Sequence, residues 1–374
     1  MDEEFKRKLA AYERGELTDE EAEEVEKDLE RLEAYQSYFD ETMGEESEAS
    51  VDTKRFVRRG KWKARFQNAA TVIGILLIGA VVMSVVTILF YGLGEESKME
   101  AYPKAIKAAV ATTKPNLEVG SSGANAVFLH MNFNGDLVKR VGAEREQVGE
   151  LNGDFLLNMP NIDLDYEESH FVPFWYPEQL EDGELKDEQW ERRLEQLPEG
   201  TVSELYISFT EYFSTDELLS ILKDRDLMPV WFAVDTGPDL EEREITPKSP
   251  IGFPYISPAL FMETEVTKKS GGFFFGVESG GGSYSVDSYG DGQKRNQDFL
   301  NMLHYMKEYE GITMDIAYRS EEDLSRDIAY IEENGVRIYG MVVTGPTKDL
   351  LKLKDEEWVG SALVGEVRLW NWFD

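Results

Sequence analysis

One uninterrupted apolar segment constrains this chain more than any other feature of its sequence. From Phe66 to Gly94 there are 29 residues without Asp, Glu, Lys, Arg or His. About 20 apolar residues, rising ~1.5 Å each, cross the ~30 Å hydrocarbon core of a bilayer. A secretory signal has a shorter apolar region close to the N-terminus, whereas acidic, helix-forming sequence precedes this one. The segment therefore predicts one retained transmembrane helix rather than a cleaved signal or a buried helix of a soluble domain.

The flanks of the segment predict its direction. Between Lys54 and Arg65 there are seven basic residues and no acidic ones, and the opposite flank begins with two glutamates. Basic residues stay on the cytoplasmic side, so we expect a cytoplasmic N-terminus and an extracytoplasmic C-terminus. Trp62 and Tyr91 lie where interfacial aromatic side chains would anchor the two ends. Nucleic acid is another possible ligand of the basic cluster, but its position beside the membrane favours topology and anionic lipid.

The charge of the chain is strongly acidic and unevenly divided. The formal net charge is −35, of which residues 1–50 contribute −13 and residues 66–374 contribute −28. Such a balance predicts no direct nucleic-acid binding and favours a basic partner, although in the outer part solubility alone would explain it. Since the chain has no cysteine, disulfides and thiolate zinc sites are excluded.

The sequence divides into four segments. These are an acidic helical module at 1–43, a linker and basic juxtamembrane segment at 44–65, the transmembrane helix at 66–94 and an extracytoplasmic domain at 95–374. In the outer domain, helices are predicted at 102–113, 184–196, 214–224, 296–309, 320–334 and 347–353, and strands at 126–133, 202–209, 227–234, 336–344 and 362–372. The glycine-rich stretch 271–292 predicts a long surface loop or a hairpin. The fold class is thus a single-pass membrane protein with a small all-α cytoplasmic module and an α/β or α+β outer domain.

The N-terminal module carries two helix signals. Phe5, Leu9 and Tyr12 recur at helical spacing before Gly15, which is typical of a helix end. The string TDEE, 18–21, then matches a capping box, in which the first and fourth residues bond reciprocally. The following helix has apolar residues on one stripe, with acids opposite: Ala22, Val25, Leu29, Leu32 and Phe39. Two short helices bury little surface, so we expect the stripe to be completed by a partner, although a simple spacer is the alternative.

No constellation in the sequence predicts catalysis, a cofactor or a metal ion. The string NIDLDY, 161–166, resembles the start of a calcium loop but lacks the required glycine and the bidentate glutamate. The three histidines are far apart, and none has a second histidine at ligand spacing. The aromatic stretch FVPFWY, 171–176, is compatible with a carbohydrate or peptide groove, but such residues are more often core.

Two groups of residues resemble a known family. The string GELTDEE, 15–21, followed by a helix with Val25, Leu29 and Leu32, resembles the GELSxEE segment of anti-sigma domains, here without the zinc-binding His and CxxC. The strings LPEGTVSE, 197–204, and VTGPTK, 343–348, with the tail LWNW, 369–372, resemble the sigma factor regulator C-terminal domain. That domain occurs in membrane-anchored anti-sigma factors of the anti-sigma-M type in Gram-positive bacteria.

The resemblance implies a non-enzymatic regulator that sequesters an extracytoplasmic-function sigma factor until the outer domain reports envelope stress. The expected partner-binding residues are apolar ones that insert into the sigma factor and acids that meet its basic face: Val25, Leu29, Leu32 and Phe39, with Glu20, Glu21, Glu24 and Asp28. A second membrane protein is left open as a further partner. The alternative from another class is a membrane-anchored binding protein or enzyme that acts on cell-envelope material.

Overall fold

The computed structural model describes most of the chain as two compact units. The described residues are 7–42 without 9, 13 and 15, 53–167 without 95, 174–180, 189–237, 250–256 and 286–370. The units are Met1–Leu77 and Ile78–Asp374. The predicted helix residues Phe5 and Leu9, the predicted helix end at Gly15, residues 44–52 of the predicted linker and residues 271–285 of the glycine-rich stretch lie outside the described residues.

The described elements of the N-terminal unit are all helical. Helix α1 is Asp19–Thr42, and helix α2, Thr53–Gly92, begins in this unit and continues into the next. Over Lys61–Gly92, α2 is long and apolar enough to cross a membrane, and within the described residues it is the one helix that meets this test. Only 6% of its most apolar window is buried, whereas the core helix of a soluble protein would be mostly buried. The predicted apolar helix is therefore present, with its side chains facing outward.

The C-terminal unit combines helices with two antiparallel sheets. Its elements in chain order are α3 (Lys98–Thr113), β1 (Glu118–Val127), β2 (His130–Val141), β3 (Glu144–Leu156), β4 (Met159–Tyr166), α4 (Pro177–Leu180), α5 (Gln189–Gln196), β5 (Thr201–Phe213), α6 (Thr215–Leu222), β6 (Met228–Val234), β7 (Gly252–Pro254), α7 (Gly292–Glu308), α8 (Glu310–Ala317), α9 (Glu321–Asn334), β8 (Ile338–Pro346), α10 (Thr347–Leu351), a 3-10 turn (Lys352–Asp355) and β9 (Val359–Leu369). The first sheet has the order β1-β2-β3-β4 and the second β7-β6-β8-β5-β9. Since every described strand pair is antiparallel, the unit is α+β rather than α/β.

The first sheet is a meander whose two faces differ in polarity. The face turned to the core carries Met131, Phe133, Leu137, Leu151 and Phe155, all of them buried. The alternate residues of the same strands are mainly polar, as expected for a sheet with one solvated face. The prediction of one strand over 126–133 was wrong, because the chain turns at residues 128 and 129 and pairs Val127 with His130.

Helix α3 is the centre of the C-terminal unit. It packs against α7, α8, β1 and β7, and its alanines at 101, 105, 108 and 109 have no exposed surface. Its backbone also contacts the second sheet, since Trp231 donates its indole N–H to the Ala111 carbonyl at 2.8 Å. Small side chains on several faces let a helix approach neighbours closely. Both sheets therefore have a common helical neighbour that directly follows α2 in the chain.

The last turn of α2 contacts the hairpin turns of the first sheet, where the sequence predicted an interfacial tyrosine. The Tyr91 hydroxyl donates into a cluster of carbonyl oxygens at 3.0–3.2 Å, those of Leu129, Phe155 and Leu157. Thr87 accepts the Leu129 N–H at 2.8 Å. Tyr91 is 1% exposed, so its predicted role as an interfacial anchor is wrong. Sequence position cannot reveal this, because the partners lie 38 to 66 residues away.

Candidate functional site

The candidate partner site begins at the capped start of α1. The Thr18 N–H donates to the Glu21 carboxylate at 3.1 Å, and the Thr18 hydroxyl donates to it at 2.8 Å. These two bonds stabilise the ionised carboxylate, so they lower the pKa of Glu21 below its ordinary value. The predicted return bond of the capping box is thus present. It fixes where α1 begins and hence which side chains share a face.

The first half of α1 is covered by the helical residues that precede it. Lys8 forms an ion pair with Glu24 at 3.2 Å, and the Tyr12 hydroxyl donates to the Glu26 carboxylate at 2.6 Å. That hydrogen bond raises the pKa of Tyr12. Val25, between the two carboxylates, is only 2% exposed. In this structure Val25 is therefore part of the module's own core rather than of an open surface.

The second half of α1 presents an exposed ridge of large side chains. Leu32, Tyr35 and Phe39 are 45%, 67% and 61% exposed, and at spacings of three and four residues they lie on one side of the helix. We call these three residues the exposed ridge. Tyr35 was missed in the predicted site, although its spacing from Leu32 and Phe39 is the signal that would have found it. Single apolar residues are common on the surface of a monomer, but a contiguous row of large side chains is typical of a contact surface.

The predicted acidic contacts lie mostly in the open. Glu20, Glu21 and Glu24 are exposed, with Glu21 engaged in the cap, while Asp28 is half-buried beside Arg31 at 3.6 Å. Leu29 is also half-buried. Helix α1 as a whole contains 11 acidic and 2 basic residues, so the exposed ridge stands in a negative field that favours a cationic surface. The assignment of these residues to a partner stays a prediction.

The strings LPEGTVSE and VTGPTK, which we call the two signature strings, meet across one pair of strands. Strand β5 carries the end of LPEGTVSE, and strand β8 carries the first four residues of VTGPTK, whose last two residues begin α10. The register of the strands pairs Ser203 with Gly345 and Glu204 with Thr344. The Thr347 hydroxyl lies 2.8 Å from that of Thr201 and 2.6 Å from that of Ser203. Thr344 donates to the Ser203 carbonyl at 2.8 Å and accepts the Gly142 N–H at 2.6 Å. Since Gly142 lies between β2 and β3, the Thr344 hydroxyl joins the two sheets.

A buried carboxylate at the end of the first signature string strengthens the same junction. Glu204 has no exposed surface, and it accepts hydrogen bonds from the Asn116 amide at 2.6 Å, the Tyr206 hydroxyl at 2.8 Å and the Glu366 N–H at 3.1 Å. The Lys139 ammonium is 3.9 Å away. Burial and the neighbouring carboxylate raise the pKa of Tyr206 well above its ordinary value. Because the carboxylate is enclosed and fully bonded, its geometry suits structural support rather than acid–base catalysis.

The described part of the aromatic stretch belongs to the core. Phe174 is buried with its ring 5.9 Å from that of Trp231, and Tyr176 stacks on Tyr339 at 4.2 Å. Burial raises the pKa of Tyr176 to about 12. Residues 171–173 lie outside the described residues. For Phe174 and Tyr176 the core interpretation therefore holds, while Trp175 is half-buried.

The groups considered for metal binding have other places in the fold. The string NIDLDY forms most of β4, so its alternation is that of a strand with one solvated face. His130 lies 3.6 Å from Asp154, and His304 lies 3.4 Å from Glu332. Within the residues that the structure describes, no group of three or more His, Cys, Asp or Glu side chains could hold a metal ion.

Two family models match the chain, one over α2 and the residues that follow it and the other over the later part of the C-terminal unit. Residues 54–146 match the sigma factor regulator N-terminal model, and residues 194–366 match the sigma factor regulator C-terminal model. The first match begins after α1, so the exposed ridge lies outside it. The second match contains both signature strings.

A curated protein of similar length matches from end to end. The chain is 28% identical over 383 residues to the "Probable anti-sigma-M factor YhdL" of Bacillus subtilis (strain 168), with 100% of each chain covered. No solved structure matches.

Proposed function

Because this chain belongs to the sigma factor regulator family of anti-sigma factors, we propose that it sequesters an extracytoplasmic-function sigma factor at the membrane. In this proposal the helical module holds the sigma factor, and a cell-envelope signal received by the C-terminal unit ends the sequestration. The family is regulatory, and the proposal assigns no enzymatic step to any residue. The observation that carries it is the exposed ridge on an acidic helix, joined in one chain to a membrane-crossing helix and the signature-bearing unit.

The proposed orientation places the N-terminal module in the cytoplasm, where sigma factors act. The seven basic residues between Lys54 and Arg65 support it, since such residues are retained on the cytoplasmic side. The C-terminal unit then lies on the extracytoplasmic side. This arrangement puts the module and the signature-bearing unit in different compartments, so a signal outside has to be transmitted along or around α2.

The exposed ridge fits a partner with an apolar groove bordered by basic residues. Full burial of a Leu, Tyr or Phe side chain contributes about 1.5–3 kcal/mol each, so three of them supply much of the free energy of a specific contact. Glu20, Glu24 and the other exposed acids would raise the association rate with a cationic partner. Val25 adds directly to the contact only if Lys8 and Tyr12 move away from its neighbours Glu24 and Glu26, so the proposal gives the leading role to the ridge.

Binding by the full chain tests this assignment. We would reconstitute the chain in nanodiscs and measure its affinity for each extracytoplasmic-function sigma factor of its host. The variant Leu32→Ser/Phe39→Ser should lose binding by about two orders of magnitude or more, since the two truncations remove hot-spot contacts of roughly 2 kcal/mol each. Both side chains are exposed, so the variant should keep its fold.

A matched control lies on the same helix. Ala34→Ser/Ser37→Ala changes two exposed residues between Leu32 and Phe39 that lie on the opposite side of the helix from the ridge, and the affinity should stay within a few-fold of the original. Hydrogen exchange over α1 reports whether either variant unfolds the module. If a sigma factor binds the ridge variant as tightly as the control, the ridge is not the contact. If no sigma factor binds the unmodified chain, the function itself is refuted.

A further inference from the structure

The solvated face of the first sheet changes polarity at one end. Cross-strand pairing aligns four residues at a time on this face. Two successive rows are polar or glycine: Gly123, Asn134, Asn152 and Asp163, then Asn125, Asn132, Asp154 and Asn161. The last row before the turns is instead mainly apolar: Val127, His130, Leu156 and Met159. A face in water has no reason to become apolar only in its last row.

The hairpin turns at this end are apolar as well. Phe128 and Leu129 form the two-residue turn between β1 and β2, with φ of 52° and 61°, and Leu157, with φ of 58°, begins the turn between β3 and β4. Such left-handed positions favour Asn, Asp or Gly, and a bulky residue there costs about 1 kcal/mol or more. The turns therefore carry apolar side chains at the expense of backbone strain.

These residues form one exposed apolar edge. The side chains of Val127, Phe128, Leu156 and Met159 are 52–60% exposed, and Leu157 is 37% exposed. The two turns adjoin, since the Leu157 N–H donates to the Leu129 carbonyl at 3.1 Å. We call this edge, residues 127–129, 156, 157 and 159, the apolar hairpin tips.

The contacts of the hairpin tips with α2 indicate how deep the tips lie relative to the bilayer. Thr87 and Tyr91 bond to residues 129, 155 and 157, so the tips lie beside the last turns of the apolar helix. From Phe66, the first residue after Arg65, to Tyr91 the helix is about 38 Å long at ~1.5 Å per residue, and the hydrocarbon core takes ~30 Å. The tips are therefore level with the boundary between acyl chains and headgroups on the C-terminal side of the span.

A lysine beside the hairpin tips is also consistent with a position at the boundary between acyl chains and headgroups. The Lys98 ammonium donates to the Asn158 side chain at 3.0 Å and lies 3.5 Å from the Phe90 ring centre. Asn158 is the polar residue of the second turn. A long cationic side chain with its stem on apolar surface and its charge toward headgroups is typical of membrane boundaries.

We propose that the apolar hairpin tips insert into the lipid leaflet on the C-terminal side of α2, so that the C-terminal unit contacts the bilayer at two hairpins besides its helix. The occupant of this surface is phospholipid at the boundary of acyl chains and headgroups. The inference rests on the proposed membrane span. The hairpin tips contact the end of α2, so the lipid that surrounds this end of the span also reaches the tips.

The absence of cysteine from the chain allows a direct test. Single variants Met159→Cys, Asp163→Cys and Ile78→Cys, each in the full chain, would carry an environment-sensitive fluorophore in vesicles of phosphatidylcholine and phosphatidylglycerol. Met159 and Asp163 are exposed on the same face of β4, four residues apart. Ile78 reports on the span. Quenchers are iodide in water and lipids with a spin label either near the headgroup or near the bilayer centre.

The expected result separates the two β4 positions. The label at 159 should be quenched by the shallow lipid and lose most of its iodide quenching, while the label at 163 should show several-fold stronger iodide quenching and none by lipid. Equal iodide quenching at both positions would overturn the proposal. Protection of 159 from both quenchers would also overturn it and indicate a protein partner or a second copy. Absence of lipid quenching at 78 would refute the span as well, whereas quenching at 78 but not at 159 refutes the tips alone.

A second variant tests whether the apolar side chains are the cause. Leu156→Asn/Met159→Asn gives the last row the polarity of the row behind it at two exposed positions, so the sheet should keep its register. A label at Val127→Cys in this background should lose its shallow-lipid quenching and gain iodide quenching. Unchanged quenching at 127, with the span label still in lipid, would show that these side chains do not hold the tips in the leaflet.

Discussion

Helix α1 and two helices of the C-terminal unit, α6 and α9, begin with the same bond between a backbone N–H and a carboxylate three residues later. They differ in how far their apolar faces are buried. At the start of α1 the Thr18 N–H donates to the Glu21 carboxylate, and the same bond forms part of the full capping boxes Ser214–Glu217 on α6 and Ser320–Asp323 on α9. Beyond the cap, the described part of the module buries Val25 and leaves the ridge open, whereas α6 and α9 pack their apolar faces into a continuous core. A capping pattern in the sequence thus determines where a helix begins. Burial of the apolar face within the chain determines how stable the helix is without a partner.

The largest effect should come from the buried carboxylate of the C-terminal unit. Glu204→Ala leaves the Asn116 amide, the Tyr206 hydroxyl and the Glu366 N–H without their acceptor. At about 1–3 kcal/mol for each unsatisfied buried group, the free energy of unfolding should fall by roughly 3 kcal/mol or more. Thermal unfolding in detergent, followed by tryptophan fluorescence, measures this loss.

The matched control for that substitution is in the same signature string. Glu199 is exposed, so Glu199→Ala should leave the unfolding midpoint nearly unchanged. Hydrogen exchange over α1 should be the same in both variants. Equal midpoints for the two variants would contradict the structural role of Glu204 and remove the main difference between the two regions.

A smaller effect is expected at the membrane end of the C-terminal unit. Tyr91→Phe removes the hydroxyl that bonds to the hairpin carbonyls, at a cost of about 1–2 kcal/mol. Faster hydrogen exchange at the Leu129 and Leu157 amides would show that the turns have loosened. Tyr318→Phe, at an 82% exposed residue, is the control. Identical exchange in both variants would mean that the hydroxyl does not hold the turns.

The same capping substitution in both regions compares them directly. Thr18→Ala and Ser214→Ala each remove one cap, worth about 1 kcal/mol. In α1 this should increase hydrogen exchange through much of the helix, because little core supports it. In α6 it should lower the unfolding midpoint slightly and leave helix content unchanged. Equal local opening in the two helices would show that the module is as self-sufficient as the C-terminal unit.

The smallest effect is the pH dependence of the cap. The Thr18 bonds lower the pKa of Glu21 in the folded module below its ordinary 4.5. A lowered folded pKa gives stability that is fully present above the unfolded value and is lost as the pH falls through the folded pKa. The protection of the amides at the start of α1, relative to their intrinsic exchange rates at each pH, should therefore fall on acidification below about pH 4.5. Thr18→Val should reduce this dependence, and an unchanged profile would contradict the role of the cap.

The sequence predicted the elements that local pattern determines. The apolar helix follows from a charge-free run, the Thr18 cap from its four-residue pattern, and strands β5, β6 and β8 from short apolar runs between helices. The observed strand bounds differ from the predicted ones by at most four residues, but α2 begins at Thr53, thirteen residues before the predicted start and within the predicted linker. Helix α8 was missed because Gly311 interrupts a short segment that tertiary packing stabilises.

The remaining features depend on contacts between distant residues. Strands β1 and β3 contain glycines and polar residues on their solvated face, so most of the meander gave no apolar signal, and the first turn was missed because Phe128 and Leu129 are not turn formers. The burial of Val25 depends on residues before α1, such as Lys8 and Tyr12, and the burial of Tyr91 depends on carbonyls far along the chain. The predicted partner stripe therefore included one residue of the module's own core and omitted Tyr35.

The alanines of α3 have a consequence for how this family can change over time. A helix with no exposed surface at residues 101, 105, 108 and 109 cannot accept even one more methyl group without displacing a neighbour. A substitution that enlarges one of these positions would need a compensating reduction on a facing element. Among related chains, we expect volume gained on α3 to be matched by volume lost on α7, α8 or the adjoining strands, so that substitutions around this helix are inherited in pairs.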